Sequence, residues 1–130
     1  MSHLIKGISS DHDLIELAKR IGVHLNGIYE FPEIKKALPK KGSFILLLRR
    51  KGGGVGHWTA YHDGAYFDSQ GMQPPAVLGD IPYNRIQYQS TYGEYCGSWS
   101  LFWLYCKQKK RMDLLEGFTN LDTWDQLDVI

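Results

Sequence analysis

The sequence lacks the marks of a membrane protein or of a disulfide-stabilised one. Its longest apolar run, Phe44–Leu48, is far shorter than the roughly 20 residues that cross a bilayer. Met1–Gly7 holds no long apolar segment, so we expect no secretory signal there. Cysteine is also scarce, with only Cys96 and Cys106. On one helix these two would lie roughly 15 Å apart, too far for a disulfide, which favours free thiols and a reducing compartment.

An excess of charge of one sign is also absent, because the formal net charge is +1. The charges are nevertheless clustered: basic residues gather at 35–51 and 107–111, and acidic residues follow to 128. Such clusters are typical of solvated faces, and a patch for a polyanion or an acidic partner is the alternative. Overall charge therefore gives no indication of a nucleic-acid-binding protein.

What the sequence does contain is enough apolar material for a core. Its 130 residues are 43% hydrophobic and 13% aromatic, which predicts a single domain, 1–130, with a ring-rich interior. An apolar face after Ser10 or Asp11, either of which can cap a helix, predicts a first helix that ends at Gly22. A second short helix is predicted from Phe31 to a point before Pro39.

The middle of the chain has the pattern of strands. Ser43–Leu48 predicts a strand that is buried on both faces, and Gly52–Gly56 a flexible loop. His57–Tyr61 and Ala65–Phe67, on either side of Asp63-Gly64, predict a hairpin.

The rest of the chain is predicted to end in a buried helix. Gly71–Pro75 should be irregular, and Arg85–Gln89 could form one more strand. From Cys96 onward, apolar residues at spacings of three and four predict a central buried helix, with Cys106 in its core. Helix, sheet and buried helix together predict an α+β domain with a central mixed sheet.

Cys96 is the first candidate for chemistry. It begins the most apolar predicted helix, where unpaired backbone N–H groups and the helix dipole favour a thiolate. Gly97 leaves space for a substrate backbone to approach. An inert buried thiol is the alternative interpretation.

His57 is the candidate base for this thiol. It lies where the glycine-rich loop meets the first hairpin strand, and a nucleophilic thiol needs an imidazole close by. The other four histidines lack such a setting, and we expect surface roles for them. They are His3, His12, His24 and His62.

Asp68 is the candidate partner of His57. Antiparallel pairing across Asp63-Gly64 brings the two residues within a residue or two of register, where a carboxylate can orient the imidazole. Asp63 is the rival carboxylate, but the turn itself explains it. Gln89 could donate, with the Cys96 backbone N–H, to an oxyanion, and Gln87 is the alternative donor.

The order of these motifs resembles that of adenain-like cysteine proteases. The matching residues are Gly56-His57-Trp58, Tyr66–Gly71 with its Phe-Asp-Ser-x-Gly pattern, Gln89, and Cys96-Gly97. The group includes the adenovirus maturation protease and enzymes of virophages and Maverick-type elements, and more distantly the ubiquitin-like-specific proteases. Gly71–Pro75 is particularly similar to the virophage and Maverick enzymes. The similarity covers about residues 43 to 106.

This resemblance implies an adenain-like fold and a cysteine endopeptidase without cofactor or metal. Cys96 would be the nucleophile, His57 the base, Asp68 its partner and Gln89 the oxyanion donor. Substrates would be viral capsid or core precursor proteins cut near Gly-containing sites, with Trp58, Gly97 and Trp99 forming a narrow substrate-binding cleft. The enzyme would be a monomer in the virion, host cytoplasm or virus factory, with no membrane partner. An activating peptide linked to Cys106, or DNA on the basic cluster within 35–51, could regulate it.

Two other functions are compatible with the same residues. A deubiquitinase or related isopeptidase uses the same site but needs a broad surface for a folded partner. A non-catalytic, capsid-associated binding domain of the same fold is the third alternative, and the intact quartet of site residues argues against it.

Overall fold

The first helix has the ends that the sequence predicts. In this computed structural model, which describes residues 10–30, 41–48, 56–88 and 96–117, helix α1 spans Asp11–Ile21. Ser10 Oγ caps it by accepting from the Asp13 backbone N–H at 3.1 Å. Gly22 ends it with a φ of 78°, a left-handed conformation that costs glycine little. The predicted N-cap and stop are confirmed.

The centre of the molecule is a four-stranded mixed sheet. Its strands are β1 (Gly27–Glu30), β2 (Ser43–Leu48), β3 (His57–His62) and β4 (Ala65–Phe67), in the order β1-β2-β3-β4. β1 runs parallel to β2, whereas β3 is antiparallel to both β2 and β4. The α+β class and the mixed sheet are therefore confirmed, although the sequence did not indicate β1.

Strand β2 is covered on both faces, as its continuous apolar run predicts. Ile45 and Leu47 belong to the main core, which they share with α1 and the later helices. Phe44 and Leu46 point the other way, into a smaller cluster that residues 78–83 help to cover. Burial on both faces explains why no polar residue interrupts the run after Ser43.

The predicted buried helix is α2, which spans Cys96–Lys109. Trp99, Leu101 and Leu104 are fully buried against the sheet, so truncating Leu104 to alanine would cost about 2–5 kcal/mol. The short helix α3, Met112–Glu116, follows and packs on α2. No helix within the described ranges has both the length and the apolar character needed to cross a membrane.

One predicted strand is wrong. Residues 85–88 form no strand, and the nearest pairing is an isolated bridge between Tyr66 and Tyr83. Pro82 lacks the N–H that a regular ladder needs, and the Asn84 side chain takes the place of main-chain partners. Gly71–Pro75 is irregular, as predicted. The predicted helix from Phe31 and the loop at 52–55 lie outside the described residues.

Candidate active site

His57 and Asp68 form the most direct polar contact of the candidate site. His57 begins β3 opposite Leu48, at the edge of the sheet where β2 ends. Its Nε2 atom lies 2.7 Å from Asp68 Oδ1. The His57 side chain is 25% exposed, whereas that of Asp68 is 4% exposed. Because Nε2 faces the carboxylate, Nδ1 is left for a second partner.

The β3–β4 hairpin brings this pair together. Asp63 and Gly64 have φ angles of 46° and 86°, the left-handed conformations that a two-residue hairpin turn requires. His62 pairs with Ala65 and Ala60 with Phe67, so Asp68 continues along β3 toward His57. The structure therefore joins the two residues as the predicted register requires. Asp63 lies at the far end of the hairpin and accepts from the Gly42 N–H at 2.7 Å, which confirms its role in the turn.

Cys96 reaches the same point from the helix side. It is the first residue of α2, is half-buried, and lies close enough to His57 to raise the pKa of the imidazole. The Trp58 backbone N–H also donates to its sulfur at 3.4 Å. One turn further along α2, Ser100 Oγ donates to the Trp58 carbonyl at 3.2 Å. Strand and helix are thus tied at the residue beside His57, which holds the sulfur against the imidazole.

These contacts favour a charged imidazole. Burial by itself lowers the pKa of His57, but hydrogen bonds to Asp68 and Cys96 and their negative charge raise it to about 9. His57 is therefore protonated at neutral pH. The sulfur lies beside this imidazole at a helix N-terminus, so a nucleophile and an acid–base group stand next to each other. This arrangement can attack an electrophilic carbon with sulfur and then deliver a proton to the leaving group.

Of the two glutamines predicted as oxyanion donors, the structure describes only Gln87. Gln89 lies outside the described residues, so its role stays a prediction. The alternative, Gln87, is half-buried and is not in a strand, because residues 85–88 form none. The first N–H groups of α2, beginning with Cys96, have no partner within the helix and are available in principle to an oxyanion.

The two tryptophans predicted to line the cleft lie in the core instead. The Trp58 side chain points to the helix side of the sheet, and the residue is only 5% exposed. Trp99 is 0% exposed and packs against the rings of Tyr88 and Phe102. Their prediction as substrate-contacting rings is corrected, because β3 directs Trp58, and α2 directs Trp99, into the core between the sheet and the helices. Gly97 is buried beside Cys96, and its substrate role stays a prediction.

The remaining candidate groups lie away from the site. Cys106 is free and fully buried, and burial raises the pKa of its thiol to about 11. His12 and His24 are exposed. His62 binds Ser43 Oγ through Nδ1 at 2.7 Å, so its expected surface role is replaced by a contact at the turn end of the hairpin. His3 lies outside the described residues.

Only part of the charged clusters lies within the described residues. Most of the basic residues within 35–51 lie outside the described residues. In the second cluster, Lys107 lies over the Trp103 ring at 5.5 Å, and Lys109, Lys110 and Arg111 are exposed. In the part of the chain that the structure describes, no group of three His, Cys, Asp or Glu residues is placed to hold a metal ion.

Two residues near the site were not found by sequence reasoning, namely Ser100 and Asn84. Ser100 holds the Trp58 carbonyl, and Asn84 holds both main-chain polar groups of Asp68. Ser100 could have been found from its place one turn after Cys96, on the face that meets β3. Asn84 carries no local signal, because its partner is distant in the sequence.

Comparison with protein-family models, with curated proteins and with solved structures gives no match for this chain. The features of this chain that bear on its function are the geometry of the site and the order of the motifs.

Proposed function

We propose that this chain is a cysteine endopeptidase with Cys96 as nucleophile, His57 as acid–base and Asp68 as the partner that orients His57. The observation that supports it best is that the His57 imidazole has a buried carboxylate at Nε2 and lies close to the sulfur at the start of α2. A nucleophile, a base and a group that orients the base are the three roles that acyl transfer requires.

In the proposed mechanism, the Cys96 thiolate attacks the scissile carbonyl carbon and forms a tetrahedral oxyanion. The backbone N–H of Cys96, with Gln89 as second donor, stabilises this oxyanion. The C–N bond then breaks, and protonated His57 gives its proton to the leaving amine. Water attacks the resulting thioester and loses a proton to His57, which releases the acid and restores the ion pair.

The motif resemblance supports the more specific part of the proposal. It favours an adenain-like fold and polypeptide substrates of the capsid or core precursor type, cut near small residues such as glycine. Cleavage of a peptide library tests this substrate class. Enrichment of glycine beside the cut is expected, and cleavage without preference for small residues contradicts it.

The assignment of the nucleophile is tested by a pair of cysteine variants. Cys96→Ala should abolish peptide cleavage. Cys106→Ala should leave it nearly unchanged, because Cys106 lies near the other end of the same helix, buried in the core of the protein. Each variant removes one thiol from the same helix by the same substitution, so each is a matched control for the other. Activity that survives in Cys96→Ala but is lost in Cys106→Ala would reverse the assignment.

Iodoacetamide alkylation checks the same point without a substrate. At neutral pH the folded protein should take one adduct, at Cys96, and the unfolded protein two, since the sequence contains two cysteines. Mass spectrometry of the digested protein locates the adduct. A folded protein that is alkylated first at Cys106 contradicts the proposed site.

A further inference from the structure

The Asp68 carboxylate has a fixed orientation although Asp68 lies outside the helices and strands. The residue directly follows β4 and is only 3% exposed. Its Oδ1 atom accepts from His57 Nε2 and from the Gln70 backbone N–H, at 2.7 and 2.8 Å. A side chain on a loop keeps such an orientation only if its own main chain is fixed.

The Asn84 side chain fixes that main chain from both sides. Asn84 Oδ1 accepts from the Asp68 N–H at 2.9 Å, and Asn84 Nδ2 donates to the Asp68 carbonyl. The same Nδ2 donates to the Ile86 carbonyl at 3.0 Å. A side-chain amide thus replaces the pair of hydrogen bonds that a neighbouring strand would give to Asp68. This pairing requires one acceptor and one donor on a short side chain, which asparagine provides.

A second contact extends the attachment. The Tyr88 N–H donates to the Ser69 carbonyl at 2.7 Å. The main chain of Ile86 also lies close to Gly71, since a Cβ built on Gly71 would lie 3.3 Å from the Ile86 carbonyl oxygen. Residues 84–88 therefore lie against residues 68–71. Within this contact, the Asn84 side chain binds both main-chain polar groups of one residue, Asp68.

We propose that Asn84 is a positioning residue, which acts through Asp68 to keep the His57 imidazole aligned with Cys96. This inference builds on the proposed function but concerns a residue that does not touch the reacting atoms. Without the amide, the buried Asp68 N–H loses its partner and the Asp68 carbonyl keeps the Gly71 N–H, so the carboxylate is held less firmly against Nε2.

Gln108 offers a matched control. Its side-chain amide accepts from the His24 N–H at 2.9 Å and donates to the His24 carbonyl at 2.7 Å. It also donates to Ser43 Oγ at 2.8 Å. Gln108 is therefore the same kind of clamp at the opposite end of the sheet from His57. A merely structural role for Asn84 predicts that the two clamps behave alike.

The test compares Asn84→Ala with Gln108→Ala in the full chain. The readouts are the melting temperature, the NMR titration midpoint of the His57 ring, and the pH profile of Cys96 alkylation. The His57 resonance is the one that disappears in His57→Gln. Both alanine variants should melt at a lower temperature. Only Asn84→Ala should move the His57 midpoint down from about 9 toward 6.5 and slow peptide cleavage by about 10- to 100-fold.

Equal loss of melting temperature in both variants, with the His57 midpoint unchanged in Asn84→Ala, overturns the proposal. If Asn84→Ala is partly unfolded, the titration is repeated at low temperature in sucrose, which favours the compact state. Neither titration nor alkylation needs a substrate. A shifted midpoint in a protein that cleaves nothing therefore supports the positioning role and rejects only the peptidase, whereas cleavage with an unshifted midpoint rejects the positioning role alone.

Discussion

At the scale of single residues, the imidazole of His57 is central to the proposed mechanism because its two nitrogens would have different tasks. Nε2 is committed to the buried Asp68 carboxylate, which fixes the tautomer and the ring plane. The other nitrogen is not engaged with this carboxylate, and Cys96 lies close enough to the ring to raise its pKa. Neither residue could do this alone, since a free imidazole rotates and an unpaired thiol is mostly neutral at pH 7.

Replacing Asp68 by asparagine tests this division of tasks. The variant keeps the shape and the hydrogen bond from Gln70 but removes the negative charge. The His57 titration midpoint should fall, and kcat should drop by about 10²- to 10⁴-fold, because the wrong tautomer is then favoured. Steady-state kinetics and the NMR titration measure the two effects. Asp63→Asn is the control, since Asp63 lies at the turn, and unchanged kinetics in Asp68→Asn would contradict the role.

At the scale of elements, the hairpin turn determines whether His57 and Asp68 meet. Asp63 and Gly64 both have positive φ angles, and this turn fixes the register of β3 with β4. A shift by one residue would move Asp68 to the opposite face of the sheet. The turn therefore controls the site from the far end of the hairpin.

Gly64→Ala should weaken the turn without touching the site. A Cβ at Gly64 meets nothing within 4 Å, so the cost is backbone strain alone, about 1 kcal/mol of unfolding free energy. Urea denaturation measures it. Gly117→Ala is the matched control, because Gly117 has an ordinary φ of −68° and should tolerate alanine. Equal stability of the two variants would show that the turn is not strained by a side chain.

The same elements show what the sequence could predict. The hairpin and the buried helix followed from strong local signals, Asp-Gly between aromatic strands and apolar spacing after Cys96. Strand β1 was not predicted because it has only four residues and its partner strand, β2, is distant in the sequence. The strand at 85–89 was wrong because Pro82 and the Asn84 side chain, not local β-propensity, decide the path of that segment.

Side-chain direction was the hardest part of the site to predict. Pattern reasoning found His57, Asp68 and Cys96, whose contacts depend on register and on a helix start. It wrongly predicted that Trp58 and Trp99 line a substrate cleft, because hydrophobic periodicity does not reveal whether a ring near the candidate nucleophile faces the core or the solvent.

At the scale of the whole molecule, His57 links folding to pH. Its folded-state pKa is raised from 6.5 to about 9, so the stability it contributes is complete below pH 6.5 and is lost as pH rises through 9. The full difference corresponds to about 3 kcal/mol, since each pKa unit is worth about 1.4 kcal/mol. The imidazolium of the proposed mechanism therefore also stabilises the fold.

Urea denaturation of the wild type and of His57→Gln, at about pH 6 and about pH 10, checks this linkage. The wild type should lose more unfolding free energy between the two pH values than the variant, by up to about 3 kcal/mol. Peptide cleavage should also decline above pH 9, when the leaving amine no longer receives a proton from His57. The same alkaline loss of stability in both proteins would exclude His57 as its source.

The spacing of the two sulfurs on α2 has a consequence for oxidative damage. Cys96 begins the helix and Cys106 is buried near its end, so about 15 Å of helix axis separates them. If peroxide converts Cys96 to a sulfenic acid, no other thiol within these 130 residues can resolve it by forming an internal disulfide. Recovery of the nucleophile then depends on reductants from the surroundings.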